Sequence, residues 1–158
     1  MACALQAHPD YRVLRRLRPQ HVFTESVQGQ TLRVLLLDTE TTGLQAGRDQ
    51  VIELALLAFD LDLASGEPVG ALQVYDGLED PGVPLSPEVQ QLTGITDDML
   101  RGQRLDEARI AELLAGAQLV IAHNAGFDRP FVEARLPVFA ELDWACSFAD
   151  IDWKRQGR

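Results

Sequence analysis

Two carboxylates in the segment 38–44, DTETTGL, have a spacing that suits a metal site. Asp38 and Glu40 follow the apolar run 32–37, and side chains two residues apart in a strand point to the same face. At about 4 Å and an effective dielectric near ~20, their repulsion is on the order of 4 kcal/mol, so a cation is needed for both to stay charged. Two Mg²⁺ or Mn²⁺ ions would relieve it, activate a water and stabilise the leaving oxygen of a phosphodiester.

A third carboxylate follows a second apolar run. The segment 123–128, HNAGFD, comes directly after the run 119–122 and enters a predicted helix, so Asp128 lies in its first turn and faces back toward the strand ends. Each segment alone also has a structural interpretation. Asp38 and Glu40 suit the polar end of a strand that runs into a turn, and Asp128 suits a carboxylate that complements the helix dipole. The two segments together favour a shared site.

The segments DTETTGL and HNAGFD resemble the first two motifs of the DEDD (DnaQ-like) 3′-to-5′ exonuclease superfamily. This superfamily includes the proofreading subunit of bacterial replicative DNA polymerase and ribonuclease T. The resemblance covers about residues 32–128, and LTGIT at 92–96 is similar to the GIT segment that often precedes the second motif. It implies a ribonuclease H-like fold and hydrolysis of phosphodiesters at 3′ ends.

The resemblance also implies roles for the carboxylates. Asp38, Glu40 and Asp128 would be the catalytic metal ligands, and Glu40 would also lie near the terminal 3′-hydroxyl. The residue equivalent to His123 usually belongs to the scaffold at the strand end, so we do not expect it to be catalytic.

Five further residues would meet the terminal nucleotide, again by resemblance. They are Thr41, Thr42, Leu44, Asn124 and Phe127. Leu44 would act as an apolar wedge between bases, and Phe127 would offer a surface for packing or stacking. For Leu44 and Phe127, burial in the core is an equally good interpretation.

The chain departs from the superfamily after Asp128. The third motif would supply a His or Tyr general base shortly before a fourth metal-binding Asp. All histidines and tyrosines of the sequence precede Asp128, namely His8, His21, His123, Tyr11 and Tyr75. Asp150 or Asp152 is an alternative fourth carboxylate. We therefore expect the chain as given to be a weak or inactive enzyme that lacks the superfamily's C-terminal helix or helices.

The elements that must position these residues follow an α/β pattern. Three β-rich runs would form an antiparallel meander, and strands alternate with helices only in the second half, which favours a mixed sheet flanked by helices. Ser86 before Pro87 predicts the start of a helix that ends near Gly94. The predicted strands are 32–37, 51–61, 69–75 and 119–122, with a last one within 144–153, and the predicted helices are 86–94, 105–114 and 124–137.

We predict a boundary near residue 31. Residues 10–18 combine an apolar face with several arginines and precede Pro19, which predicts a short basic helix within an N-terminal arm, 1–31. Residues 32–158 would form the exonuclease-like domain, incomplete at its C-terminus. The net charge of −10 argues against a broad basic face for nucleic acid, so a polyanion must be held through metal ions or a small local groove.

The apolar runs are far shorter than the roughly 20 residues of a membrane helix. The N-terminus also lacks the apolar core of a secretory signal, so we expect a cytoplasmic protein without membrane contact.

The sequence therefore predicts a Mg²⁺- or Mn²⁺-dependent 3′-to-5′ exonuclease that releases 5′-mononucleotides. Its partners would be the single-stranded 3′ end of DNA or RNA, a choice that stays open, and a DNA polymerase. The alternative is a catalytically incomplete exonuclease-fold module for binding or scaffolding. A haloacid-dehalogenase-like phosphatase also begins with carboxylates two residues apart, but it needs a downstream Lys, and Lys154 is the only lysine.

Overall fold

The computed structural model describes residues 5, 8–11, 13, 16, 18, 21–24 and 27–156. Much of the predicted basic helix at 10–18, including Arg12 and Arg15, lies outside the described residues, and the boundary near residue 31 stays a prediction. Within the described part of the chain, no helix has the length and apolar character required to cross a membrane.

Five strands form one mixed sheet in the spatial order β3-β2-β1-β4-β5. Strands β1 to β3 pair antiparallel, whereas β4 pairs parallel to β1 and β5 pairs parallel to β4. This order confirms the predicted antiparallel meander and the mixed ribonuclease H-like sheet. The strands are β1 (Thr31–Thr41), β2 (Val51–Asp62), β3 (Pro68–Leu78), β4 (Leu119–Ala122) and β5 (Asp143–Cys146).

Four α-helices and one 3₁₀ helix occur in the described region. Ser86 caps the first helix by accepting a hydrogen bond from the Val89 amide at 3.2 Å, and Gly94 ends it with a φ of 76°, as the sequence predicts. The short second helix was not predicted. The helices are α1 (Pro87–Thr93), α2 (Asp97–Leu100), α3 (Glu107–Leu114) and α4 (Ala125–Arg135), and the 3₁₀ helix is Pro137–Glu141.

The main core lies on one face of the sheet. Side chains from α3, α4 and the 3₁₀ helix pack there against alternate residues of the strands. Its fully buried members include Leu35, Leu54, Leu113, Val132 and Phe139. A second, smaller core of Ile52, Leu85, Ile95 and Leu100 holds the segment that contains α1 and α2 against the sheet.

The first strand is longer than predicted. The sequence predicts that it ends at residue 37, directly before Asp38. β1 instead continues to Thr41 because β2 keeps pairing with it, through Asp38 opposite Ala55 and Glu40 opposite Glu53. A register shift follows between Glu40 and Thr41. Both carboxylates of the first motif therefore lie within a paired strand, which fixes their backbone more firmly than a strand end would.

Residues 21–24 cover part of the outer edge of β3. The Phe23 amide donates to the Gly70 carbonyl at 2.7 Å, the Gly70 amide to the Thr24 carbonyl at 3.0 Å, and the Leu72 amide to His21 at 2.9 Å. This pairing satisfies backbone groups that an edge strand would otherwise leave open.

Candidate active site

Asp38 and Glu40 lie on the face of the sheet opposite the main core. Leu37, Thr39 and Thr41 alternate with them and are buried on the core side. Asp38 is exposed and Glu40 is half-buried. The prediction that both carboxylates share one face is therefore confirmed, and β1 separates them from the main core.

Asp128 reaches β1 from the first turn of α4. The helix begins directly after β4, and Asn124 makes the turn with a φ of 69°, a left-handed conformation that Asn tolerates better than most residues. Asp128 is only 3% exposed. Its Oδ1 accepts hydrogen bonds from the Thr39 amide at 3.1 Å and from Thr39 Oγ1 at 2.8 Å. The structure thus joins the second motif to the residue between Asp38 and Glu40.

The charge of Asp38 acts on both other carboxylates of the site. Burial raises the pKa of Glu40 above its usual value, and the negative charges of Asp38 and Asp128 raise it further. Burial also raises the pKa of Asp128, hydrogen bonding from Thr39 opposes that rise, and the charge of Asp38 adds to it. The site concentrates negative charge that a cation would relieve.

Two acidic residues that the sequence interpretation missed share this face. Glu53 lies opposite Glu40, and Asp76 lies in the same row as Asp38, with Ala55 between them. Burial raises the pKa of Glu53, and the charges of Asp76, Glu40 and Asp38 raise it further. The register of β1, β2 and β3 would have revealed both residues, but a register is not visible in one sequence.

The chemistry of these donors fits a hard divalent cation, since carboxylate oxygens are the ligands that Mg²⁺ and Mn²⁺ prefer. Asp38, Glu40 and Asp128 come from two elements, and the charge of Asp38 helps to raise the pKa of both Glu40 and Asp128. Among the described residues, no group of three or more acidic, histidine or cysteine side chains forms a ready-made cage. A bound ion would therefore have to draw the carboxylates together.

The loop after β1 is closed by its own hydrogen bonds. Thr41 Oγ1 donates to the Gly43 carbonyl at 2.5 Å, and Thr42 Oγ1 accepts from the Gln50 amide at 3.0 Å. A side chain at Gly43 would force the Asp49 carboxylate to move, because an added Cβ would lie 2.5 Å from Asp49 Oδ2. Leu44 at the loop tip is 82% exposed, so the interpretation that Leu44 is buried in the core is wrong.

Asn124 and Phe127, the two residues of the second motif predicted to contact the nucleotide, lie in different environments. Asn124 is exposed at the start of α4. Phe127 is half-buried and packs against the main core, with its ring centroid 5.1 Å from that of Phe131. Phe127 therefore has a packing role whether or not it also meets a substrate.

His123, Asp150 and Asp152 make local contacts with residues 146–155. His123 Nδ1 lies 3.0 Å from Ser147 Oγ, and its ring meets Phe148 edge-on with centroids 5.5 Å apart. Asp150 Oδ2 accepts from the Cys146 amide at 2.7 Å, and Asp152 Oδ1 accepts from the Arg155 amide at 3.0 Å. Asp150 and Asp152 thus stabilise turns here.

A family model described as exonuclease matches residues 35–153, which include both motifs. The chain belongs to the exonuclease family. This membership confirms the DnaQ-like resemblance, and with it a fold that serves nucleases.

Curated relatives of this chain include DNA polymerase III proteins. DNA polymerase III PolC-type from Halalkalibacterium halodurans is 36% identical over 121 residues, which cover 69% of this chain and 8% of the relative. DNA polymerase III subunit epsilon from Treponema pallidum is 33% identical over 105 residues, 63% of this chain and 44% of the relative. The chain therefore spans less than half the length of either protein.

Solved exonucleases share the fold. Exonuclease I from Methylocaldum szegediense matches with a TM-score of 0.50 and 27% sequence identity. The match covers 65% of this chain and 22% of the exonuclease I chain. A metal-free complex of E. coli exonuclease I with single-stranded DNA matches with a TM-score of 0.55 and 19% sequence identity. The match covers 74% of this chain and 28% of the exonuclease I chain.

Proposed function

We propose that this exonuclease-family domain hydrolyses phosphodiesters from single-stranded 3′ ends and releases 5′-mononucleotides with the help of Mg²⁺ or Mn²⁺. The observation that carries the proposal is the meeting of the two motifs at β1. Asp128 is hydrogen-bonded to Thr39, whose neighbours on either side are Asp38 and Glu40. Family membership supports hydrolysis of nucleic acid, and the 3′-to-5′ direction rests on the motif resemblance.

Asp38, Glu40 and Asp128 would hold the divalent cations, and Glu40 would also accept a hydrogen bond from the terminal 3′-hydroxyl. Bound divalent ions would supply charge neutralisation at the phosphate and a more acidic water. The burial of Asp128 keeps one side of the site dry, which strengthens its electrostatic interactions. These residues suit hydrolysis because they concentrate negative charge where a phosphodiester must be approached through a cation.

The loop after β1 suits a substrate that binds through the end of a nucleic-acid strand. Leu44 presents an exposed apolar side chain beyond Glu40, as a wedge between terminal bases would. Thr41 and Thr42 hold the loop through hydrogen bonds. We assign Thr41, Thr42, Leu44 and Asn124 to contacts with the terminal nucleotide, and Phe127 to the packed wall beside them.

The relatives favour DNA over RNA as the substrate and a replicative polymerase as the partner. Both are DNA polymerase III proteins, and one is its epsilon subunit. We propose on this basis that the domain acts on DNA together with a DNA polymerase.

A second candidate is a binding or scaffolding module without turnover. The observation that favours it is the absence of His and Tyr from residues 129–158, so the general base of the third motif is not in this sequence. Such a module would bind a 3′ end and leave it intact.

The test compares single-stranded DNA labelled at the 3′ end with the same strand labelled at the 5′ end, in Mn²⁺ and in EDTA. Because the general base of the third motif is not in this sequence, the proposal predicts a slow reaction that removes the 3′ label as a mononucleotide in its first step. The 5′-labelled strand should shorten stepwise, and EDTA should abolish both changes. Glu40→Gln should slow the reaction by about 10²-fold or more. Glu112→Gln, on the exposed ion pair with Arg109, is the matched control and should keep full activity.

Three outcomes separate the candidates. Immediate release of the 5′ label would contradict the direction, and a rate that Glu40→Gln leaves unchanged would contradict the site. Tight binding of the intact strand without any cleavage, measured by fluorescence anisotropy, would favour the binding module.

A further inference from the structure

Thr39 is the residue through which the two motifs touch. It lies between Asp38 and Glu40 in β1, and its side chain points to the core side, where it is 7% exposed. Its amide and its hydroxyl both donate to the same oxygen, Asp128 Oδ1, at 3.1 Å and 2.8 Å. Thr39 thus differs from the carboxylates beside it, since it contacts the third carboxylate directly and carries no charge.

The two donors restrict how the Asp128 carboxylate can turn. The terminal torsion of an Asp side chain is broad and roughly two-fold, so packing alone defines the carboxylate plane poorly. Threonine is β-branched and stiff at its first side-chain torsion, and β1 is paired with β2 at this level of the sheet, with Thr39 opposite Leu54. The Thr39 hydroxyl is therefore a fixed donor, and it holds Asp128 in one orientation relative to β1.

We propose that Thr39 is a positioning residue, whose hydroxyl orients Asp128 so that this carboxylate can share a divalent cation with Asp38 and Glu40. The inference rests on the proposed function, because it assumes that the three carboxylates bind a cation. Hydrogen bonds that orient metal ligands change metal affinity by about 10- to 100-fold when they are removed. Valine at position 39 would keep the branched shape and the amide donor but lose the hydroxyl.

The experiment measures Mn²⁺ affinity by the electron paramagnetic resonance signal of free Mn²⁺. Thr39→Val should bind Mn²⁺ about 10- to 100-fold more weakly than the parent, and Thr39→Ser, which keeps a hydroxyl, should recover most of that loss. Thr93→Val is the matched control, since Thr93 Oγ1 also donates a hydrogen bond, to the Val89 carbonyl at 2.9 Å, but within α1. It should leave Mn²⁺ affinity unchanged.

Each other result has a defined meaning. Equal affinity in the parent and Thr39→Val, or a Thr39→Ser variant as weak as Thr39→Val, would overturn the positioning role. If Thr39→Val does not melt cooperatively, Thr39→Ala carries the same expectation. A parent protein whose Mn²⁺ binding is absent or insensitive to Asp38→Asn would overturn the proposed cation site itself, and the positioning role with it. The Asp38→Asn arm therefore separates failure of the proposed function from failure of this inference.

Discussion

The two faces of the sheet contrast within a single strand. On the face covered by α3 and α4, Leu35 and Leu37 are 0% and 4% exposed. On the other face, Leu36 is 40% exposed and leads to the exposed carboxylate of Asp38. Because side chains alternate along a strand, β1 contributes to the core with one set of residues and to the site with the other. Core packing and the carboxylates of the first motif therefore draw on different residues of the same strand, and Thr39 on the covered face contacts Asp128.

The open face is itself divided into two parts. A shallow groove of about 300 Å³ runs over apolar side chains that include Leu36, Leu57 and Val74, and its polar end contains Asp38 and Asp76. On the covered face, most buried residues form one apolar cluster, and the buried polar residues Thr39, Thr41 and Asp128 lie beside the first motif. On the open face, Asp38 and Asp76 thus lie together at one end of the groove.

The largest expected effect is the difference in stability loss between substitutions on the two faces of β1. Leu35→Ala should lower the free energy of unfolding by about 2 to 5 kcal/mol, because it removes a fully buried side chain and leaves a cavity. Leu36→Ala, the adjacent residue on the open face, should cost less than about 1 kcal/mol, because its side chain is already partly in water. Chemical denaturation of both variants measures the difference.

Equal losses in the two variants would break the comparison. They would mean that the open face is as well packed as the covered face under the conditions of the measurement. A larger loss for Leu36→Ala would reverse our assignment of the core.

The next effect contrasts carboxylates in opposite environments. Asp62 is fully buried, and its pKa is lowered chiefly by hydrogen bonds from the amides of Gln28, at 2.6 Å, and Ala64, at 2.8 Å. A lowered pKa in the folded state adds stability that is complete above the unfolded pKa, about 3.9, and is lost as the pH falls through the folded value. Glu40 and Glu53 show the reverse shift, because burial raises the pKa of each carboxyl and the charges of neighbouring carboxylates raise it further.

Asp62→Asn should therefore destabilise the protein at neutral pH, and its penalty should shrink as the pH falls below about 4. Denaturation midpoints of the parent and the variant between pH 3 and pH 7 measure this change. A penalty that grows toward low pH would show that the ionised Asp62 carboxylate does not stabilise this fold.

The smallest expected effect concerns repulsion on the open face. Glu53→Gln should raise stability by about 0.2 to 1 kcal/mol in EDTA, because like charges directly opposite each other in a sheet are destabilising. Glu112→Gln, on an exposed helix position, should stay within about 0.5 kcal/mol of the parent. Destabilisation by Glu53→Gln would indicate that this carboxylate makes favourable contacts that outweigh the repulsion.

Local signals made much of the fold predictable from the sequence. The strand at 119–122 was placed correctly because it is a short apolar run, and α1 was bounded correctly because Ser86 and Gly94 act through nearby backbone groups. The antiparallel meander followed from turns between β-rich runs. The short helix at Asp97–Leu100 was missed, because four residues carry too little periodicity to indicate a helix.

Only the residues within the two motifs could be predicted from the sequence, and the contacts between the motifs could not. Asp38, Glu40 and Asp128 were identified by type and spacing, whereas the contact of Thr39 with Asp128 joins residues 89 positions apart in the sequence. The extension of β1 to Thr41 depends on pairing with β2, and the approach of Glu53 and Asp76 depends on the register of three strands. Such relations are set by tertiary packing, which no local pattern encodes.

Calorimetric titration with Mn²⁺ tests most directly the central claim that Asp38, Glu40 and Asp128 serve one cation site. The account predicts binding by the parent, a loss of at least about 10-fold in affinity for each of Asp38→Asn, Glu40→Gln and Asp128→Asn, and no change for Glu112→Gln. Equal affinity in the parent and the three site variants would contradict it.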